Sequence, residues 1–199
     1  MLDAEGNVLG LDLGCGKHGR SKWPGFFGVD AKPGPTTDGY RQMDLLDASA
    51  WTWRPNSVPR IICLHVIEHF VRTDGLGIMA RAYRALAPYG WMIVAVPDML
   101  GLCRAYADGD TEYLNYRHEG GRHNLVWPGA TPADQVNWAI HQESHLWGYD
   151  QTSLTALAVE AGVPPEWVRP AAADCEYCTR GRYETAIEIR KERDPWKPA

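Results

Sequence analysis

A glycine-rich turn between two short apolar runs is the feature that most constrains this chain. Residues 9–16 read LGLDLGCG, and a second apolar run ends at Asp30, fourteen residues after Gly16. In a doubly wound α/β sheet, this layout places backbone N–H groups and a carboxylate around one nucleotide-like ligand. Gly14 and Gly16 lack Cβ atoms where the chain must turn sharply and let a ligand approach. The Asp30 carboxylate can accept hydrogen bonds from both hydroxyls of a ribose.

The glycine spacing by itself leaves the ligand open. Gly14, Gly16 and Gly19 satisfy the G-x-G-x-x-G pattern of dinucleotide-binding folds, so an NAD-dependent or nucleotide-sugar enzyme is one interpretation. Asp12 stands two residues before the first glycine, where it can hold the turn or meet a cationic ligand.

Composition predicts a single globular domain and disfavours several classes of partner. The chain has 199 residues, 45% of them hydrophobic, enough for a sizeable core. It has no apolar run of about 18 residues and no basic–apolar leader, so we expect neither a membrane span nor a signal peptide. Five scattered cysteines indicate reduced thiols in the cytoplasm. A net charge of −5 without a long basic run disfavours duplex nucleic acid.

Several segments of the chain resemble the motifs of class I S-adenosylmethionine-dependent methyltransferases. They are DLGCG at 12–16, Asp30 as the acid after strand 2, MDLL at 43–46 after strand 3, HVIEHF at 65–70 after strand 4, and RALAPYGW at 84–91 before strand 5. The resemblance covers roughly residues 7–190. It implies an α/β, Rossmann-like, doubly wound seven-stranded sheet with a terminal antiparallel hairpin, and S-adenosylmethionine as the cofactor.

The resemblance also implies a set of cofactor-binding residues. They are Asp12, Gly14, Cys15, Gly16, Lys17, Asp30, Ala31, Asp44, Leu45 and His65. Asp30 is expected on the ribose, Asp44 with the backbone of Leu45 on the adenine, and the backbone of His65 along the cofactor. The segment after Gly16 is too short and broken for the long helix of most family members. It resembles a small "HVxEHF" branch with a shortened first crossover, in which Lys17 and His18 are expected to replace a helix N-terminus.

The pattern of apolar residues predicts the remaining elements. Strands are expected at Val8–Leu13, Gly25–Val29, Arg60–Leu64 and Met92–Val96, and a terminal antiparallel pair at Trp167–Pro170 and Tyr183–Ile189. One helix is expected from a cap at Thr73 or Asp74 to Pro88, and another from a cap at Asp150 or Thr152 to Gly162. Residues 191–199 are expected to form a frayed tail.

Residues 99–149 are predicted to form an inserted lid within a single domain of residues 1–199. The segment leaves the carboxyl end of strand 5 and is rich in aromatic residues and histidines. A helix is expected to begin with Thr131 as its cap. If that helix persists, Trp138, His141 and His145 share one face. The candidate substrate residues are Tyr106, Trp138, His141 and Tyr149. The alternative is a solvent-exposed loop that carries one helix packed against the rest of the domain.

Candidate catalytic residues follow from the need to remove a proton from some methyl acceptors. His69 and His145 are the candidates, because the pKa of histidine lies near working pH. The alternative for His69 is that it and Glu68 pin the loop. We expect no metal site, and Cys175 and Cys178 are interpreted as a hairpin-loop pair because a second C-x-x-C is missing.

The sequence therefore predicts methyl transfer from S-adenosylmethionine to a small-molecule or glycan-like acceptor, through oxygen or nitrogen. The chain lacks the D/N-P-P-[YFW] turn and the Pro-Cys pair after strand 4 that mark amino-group and cytosine-C5 DNA methyltransferases. A catalytically weak S-adenosylmethionine-binding accessory protein of a nucleic-acid or metabolite modification system is the main alternative. The oligomeric state is left open.

Overall fold

A computed structural model describes residues 9–16, 21–34, 39–114, 131–141, 144–178 and 181–193. The predictions made for Val8, Lys17, His18 and the stretch 115–130 lie outside these residues.

Seven strands form one mixed sheet in the order β3-β2-β1-β4-β5-β7-β6. The strands are β1 Leu11–Leu13, β2 Phe27–Asp30, β3 Tyr40–Gln42, β4 Val58–Leu64, β5 Leu86–Pro97, β6 Val168–Pro170 and β7 Glu184–Arg190. The first five strands run parallel to one another, and β7 is antiparallel to both β5 and β6. The predicted fold, including the terminal antiparallel hairpin, is confirmed.

Five helices accompany the strands in the described ranges. They are α1 Arg72–Ala85, α2 Met99–Asp108, α3 Thr111–Leu114, α4 Pro132–His141 and α5 Gln151–Glu160. Asp150 caps α5, and its side chain accepts a hydrogen bond from the Ser153 N–H at 2.7 Å. The cap predicted for α1 at Thr73 or Asp74 was wrong. That helix begins after Val71, whose carbonyl accepts the N–H groups of Asp74 and Gly75.

The two sheet faces are covered differently. Helices α1 and α5 pack on one face, where the main apolar core lies. The smaller cluster on Phe26, Ile62 and Ile93 is covered by the half-buried rings of Trp23, Trp91 and Tyr177. Within the described part of the β1–β2 connection the chain forms turns and bends, as the broken 17–27 segment predicts.

The start of the predicted frayed tail is instead part of the core. Lys191 is 1% exposed, and its ammonium donates to Leu86 O at 2.7 Å and to Asn56 Oδ1 at 2.6 Å. The backbone of Lys191 also pairs with Tyr89 and Gly90, which extends the β5–β7 ladder past Arg190. The tail prediction was therefore wrong for Lys191, because carbonyls left open after α1 take up its charge.

Helices α2, α3 and α4 pack against one another beyond the carboxyl end of β5. Asp98 caps α2 by accepting the Leu100 N–H, and Gly109 ends that helix with a left-handed φ of 68°. Across the described ranges, no helix combines the length and apolarity that crossing a membrane requires.

Candidate functional site

The glycine turn after β1 is held against the neighbouring strands. The N–H groups of Gly14 and Cys15 donate to Val29 O at 2.8 and 3.1 Å. Gly14 has a φ of 70°, and a Cβ placed on it would lie 2.4 Å from Cγ2 of Val66. Because Val66 follows β4, glycine at position 14 lets the β1 turn and the β4 turn touch.

Gly16 and Asp30 meet at the carboxyl ends of β1 and β2. The Gly16 N–H donates to Asp30 Oδ2 at 2.9 Å, and the Lys32 N–H donates to Asp30 Oδ1 at 2.9 Å. Gly16 has a φ of 82°, and a Cβ placed there would meet no atom of the described residues within 4 Å. The two amides fix the carboxylate, and the open space beside it is available to a ligand.

Asp12 is a buried carboxylate beneath this turn. Burial raises its pKa to about 6, against the opposing effects of a hydrogen bond from Ser21 and the charge of Lys22. Burial likewise raises the pKa of the Cys15 thiol to about 12, so this thiol stays protonated at neutral pH.

The residues expected at the adenine lie on the next connection. Asp44 is exposed, and its Oδ1 accepts the Leu46 N–H at 2.9 Å. The side chain of Leu45 is buried in the core, and its carbonyl accepts hydrogen bonds from the Trp51 indole and the Arg81 guanidinium. Ala31 is exposed after β2, and its carbonyl accepts a hydrogen bond from Gln42.

The His65 side chain lies between two carboxylates. Its Nε2 is 2.9 Å from Glu184 Oε2, and its Nδ1 is 3.4 Å from Glu68 Oε1. The His65 backbone has a left-handed φ of 56°, and its N–H donates to Ala95 O. His65 thus ties the β4 turn to both β5 and β7.

His69 and His145, the two candidate catalytic residues, lie side by side. Their ring centroids are 4.8 Å apart at an interplanar angle of 64°. His69 belongs to a 3₁₀ turn, Ile67–His69, directly after β4. The chain following His145 is anchored there, because the N–H groups of Leu146 and Trp147 donate to Glu68 O.

The candidate substrate residues lie on different elements and differ in exposure. Tyr106 is exposed on α2, His141 is exposed on the last turn of α4, and Trp138 is half-buried on the same helix. His145 does not share a face with them, because α4 ends at His141 and Ser144 turns the chain with a φ of 65°.

Tyr149, one of the candidate substrate residues, lies in the core. It is 1% exposed, and its hydroxyl packs so closely on α1 that a Cβ on Gly75 would lie 2.9 Å away. Burial raises the pKa of this phenol to about 12. The carbonyl of Tyr149 accepts the Met99 N–H, so this hydrogen bond joins the two ends of the 99–149 segment.

Two buried acids of the site, Glu68 and Glu184, were not among the predicted residues. Glu68 lies close to His65 and His69 in the HVIEHF motif, and this clustering of titratable residues could have identified it. Glu184 lies 119 residues from His65, so no local pattern connects them. It also lines a groove of about 400 Å³ together with Gln151 and Arg182.

Comparison with known proteins identifies the fold. No protein-family profile matches the chain, and no curated protein matches its sequence. An S-adenosylmethionine-dependent methyltransferase from Archaeoglobus fulgidus is 13% identical, with a TM-score of 0.54 over 94% of this chain and 87% of that one. The small RNA methyltransferase HEN1 is 15% identical, with a TM-score of 0.52 over 98% of this chain but 24% of that one.

A third similar structure contains ligands. It is the 1,6-didemethyltoxoflavin-N1-methyltransferase of Burkholderia thailandensis with bound 1,6-didemethyltoxoflavin and S-adenosylhomocysteine. It is 13% identical, with a TM-score of 0.51 over 93% of this chain and 71% of that one. The acceptors that these names give differ widely, from RNA to a small heterocycle. The chain therefore shares the Rossmann-like fold of S-adenosylmethionine-dependent methyltransferases.

Proposed function

We propose that this protein binds S-adenosylmethionine and transfers its methyl group to a small-molecule or glycan-like acceptor, through oxygen or nitrogen. The observation that carries the proposal is the pairing of Gly16 with Asp30 beside an open space, within a sheet of methyltransferase order.

Asp30 is suited to bind the ribose of the cofactor. Each carboxylate oxygen already accepts one backbone N–H, and each retains a lone pair for a ribose hydroxyl. The amides fix the carboxylate before the ligand arrives, so little side-chain entropy is lost on binding.

The remaining cofactor contacts follow the same edge of the sheet. Asp44 would accept from the adenine amine, and the backbone near Leu45 would meet the ring. Asp12, Gly14, Cys15, Lys17, Ala31 and His65 complete the proposed set. The positively charged cofactor supplies the methyl group and the leaving group, and the protein aligns the acceptor for in-line displacement.

The acceptor would approach from the side of β4 and β5. His69 and His145 lie there, and the groove beside Glu184 opens nearby. We propose residues 99–149 as a lid over this side, in one domain spanning residues 1–199. The contact between α4 and His145 supports this placement, because Ala139 O lies 3.1 Å from Nδ1 of His145.

Calorimetric titration with S-adenosylhomocysteine tests the cofactor assignment. The unmodified protein should bind it, and Asp30→Ala should lose about 1.5–3 kcal/mol, or roughly 10- to 150-fold in affinity. The affinity of Asp30→Asn should lie between those of the unmodified protein and Asp30→Ala, because the asparagine oxygen can still accept one backbone N–H. Asp108→Ala, which removes an exposed carboxylate on α2, is the matched control and should bind normally.

The alternatives predict different results. Unchanged affinity in Asp30→Ala would remove the basis of the assignment. Binding of NAD or a nucleotide sugar in place of S-adenosylhomocysteine would indicate another Rossmann-type enzyme. Tight binding without turnover on any small-molecule or glycan acceptor would favour the accessory protein.

A further inference from the structure

Three side chains with metal-binding atoms converge where β4 ends. Glu68, His69 and His145 each offer one ligand atom, and these atoms all lie within 4.8 Å of one another. Glu68 and His69 are adjacent in the 3₁₀ turn, whereas His145 comes from the segment between α4 and α5. The fold therefore joins two distant parts of the chain at this point.

The Glu68 carboxylate is buried without a hydrogen-bond donor in the described part of the chain. Its side chain is 2% exposed, and neither oxygen accepts a hydrogen bond from the described part of the chain. A buried carboxylate without compensation costs several kcal/mol. Nδ1 of His65 lies 3.4 Å from Oε1 without making a hydrogen bond, and a protonated His65 shares its charge with Glu184 on the other side of the ring. A bound cation would supply the missing compensation.

His145 is held in the orientation typical of a metal ligand. Its Nδ1 lies 3.1 Å from Ala139 O, and a carbonyl can only accept, so Nδ1 carries the proton. In the neutral imidazole the lone pair is then on Nε2. Metal-binding histidines commonly donate their second ring N–H to a backbone carbonyl in this way.

The backbone fixes the spacing between the two halves of the cluster. Leu146 and Trp147 donate their N–H groups to Glu68 O at 2.8 and 3.1 Å. The rings of His69 and His145 are tilted by 64°, as two imidazoles directed at a common point can be, and are not stacked in parallel. These backbone contacts hold His145 beside His69.

We propose that Glu68, His69 and His145 bind a divalent first-row transition-metal ion. Two imidazole nitrogens and one carboxylate suit Zn²⁺, Fe²⁺ or Mn²⁺ better than Mg²⁺, which prefers oxygen ligands. With metal–ligand distances of about 2.0–2.2 Å, ligand atoms of a tetrahedral site lie about 3.4 Å apart. Side-chain shifts of about an ångström would bring the three atoms to that spacing.

This assignment departs from the expectation that the chain has no metal site. Three protein ligands leave a coordination position for water or for a hydroxyl of the acceptor, whose proton the ion would make easier to remove. The two imidazoles then act through the ion and do not themselves accept the proton. His65 becomes a positioning residue, since its ring lies between Glu68 and Glu184.

Metal binding can be measured without any enzyme assay, and independently of whether S-adenosylmethionine is the cofactor. Protein stripped with a chelator is titrated with Zn²⁺ by calorimetry and with Co²⁺ by visible absorption. We expect about one ion per chain, and an affinity at least about 100-fold weaker in Glu68→Gln and in His145→Gln. His141→Gln, which removes an exposed histidine of α4, should bind like the unmodified protein.

Two further measurements make the result decisive. The double variant Cys175→Ser/Cys178→Ser should retain the ion, since the proposed ligands exclude the C-x-x-C pair. Near-UV circular dichroism shows whether each variant is folded. If Glu68→Gln does not fold, His145→Gln still tests the site, because His145 is only half-buried. Failure of the stripped protein to bind either ion, retention of affinity in a folded ligand variant, or loss in the cysteine variant overturns the proposal.

Discussion

The buried carboxylate of Asp12 should make the stability of the protein depend on pH. Burial raises its pKa from 3.8 to about 6 in the folded state. Between these values the folded protein binds a proton that the unfolded chain has released. The free energy of unfolding should therefore fall as pH rises from about 4 to about 6, and this contribution should level off above that range.

The size of the effect follows from the two pKa values. The difference between 3.8 and about 6, at about 1.36 kcal/mol per pH unit, corresponds to roughly 3 kcal/mol. Asp12→Asn removes the ionisation but keeps an oxygen that can accept the hydrogen bond from Ser21. The stability of this variant relative to the unmodified protein should thus rise by roughly 2.5 kcal/mol between pH 4 and pH 7, since part of the change falls below pH 4.

Urea unfolding at a series of pH values measures this difference. Subtracting the unfolding free energy of one protein from that of the other cancels the effects of the ionisable groups that they share. Asp108→Asn serves as the control, because it removes one carboxylate at an exposed position of α2. The stability difference between Asp12→Asn and the unmodified protein should change with pH, and that for Asp108→Asn should not. If neither difference changes with pH, the Asp12 carboxylate is not held in its neutral form and the reasoning fails.

Other substitutions test the turn and the core. Gly14→Ala should destabilise by about 2 kcal/mol or more, because its Cβ would lie 2.4 Å from Val66 in addition to the unfavourable φ. Gly16 also has a left-handed φ, but its Cβ would meet no atom of the described residues, so Gly16→Ala should cost only about 1–2 kcal/mol in urea unfolding. Equal losses in the two variants would contradict the clash at Gly14. Lys191→Met should cost about 2–5 kcal/mol in the same assay by leaving Leu86 O and Asn56 Oδ1 without their donor, while folded protein keeps its S-adenosylhomocysteine affinity. A loss below 1 kcal/mol would show that water replaces the ammonium.

The sequence predicted those parts of the fold that depend on neighbouring residues. Buried parallel strands are continuous apolar runs, so β4 and the centre of β5 could be located directly. The β1 turn was predictable because glycine is favoured where the chain needs a left-handed φ. By contrast, β3 reads Tyr-Arg-Gln at the edge of the sheet and has no apolar run to reveal it.

What the sequence did not predict depends on contacts between distant segments. Lysine is normally exposed, and the burial of Lys191 requires carbonyls at the end of α1 that only the folded chain brings near. The cluster of Glu68, His69 and His145 depends on the turn at Ser144, which ends the continuity with α4. Helical spacing therefore placed His145 on one face with Trp138 and His141, whereas the chain leaves the helix before it reaches His145.

The contact between His65 and Glu184 has a consequence for the newly made chain. Glu184 is the first residue of β7, which is inserted between β5 and β6 and follows all the other strands in the sequence. During synthesis the glycine turn, Asp44 and the histidines emerge earlier, yet the β4 turn lacks its contact with Glu184 until β7 is added. A nascent or truncated chain that ends before Glu184 should therefore not compete with the full-length protein for ligands, because β7 must first pair with β5 and β6.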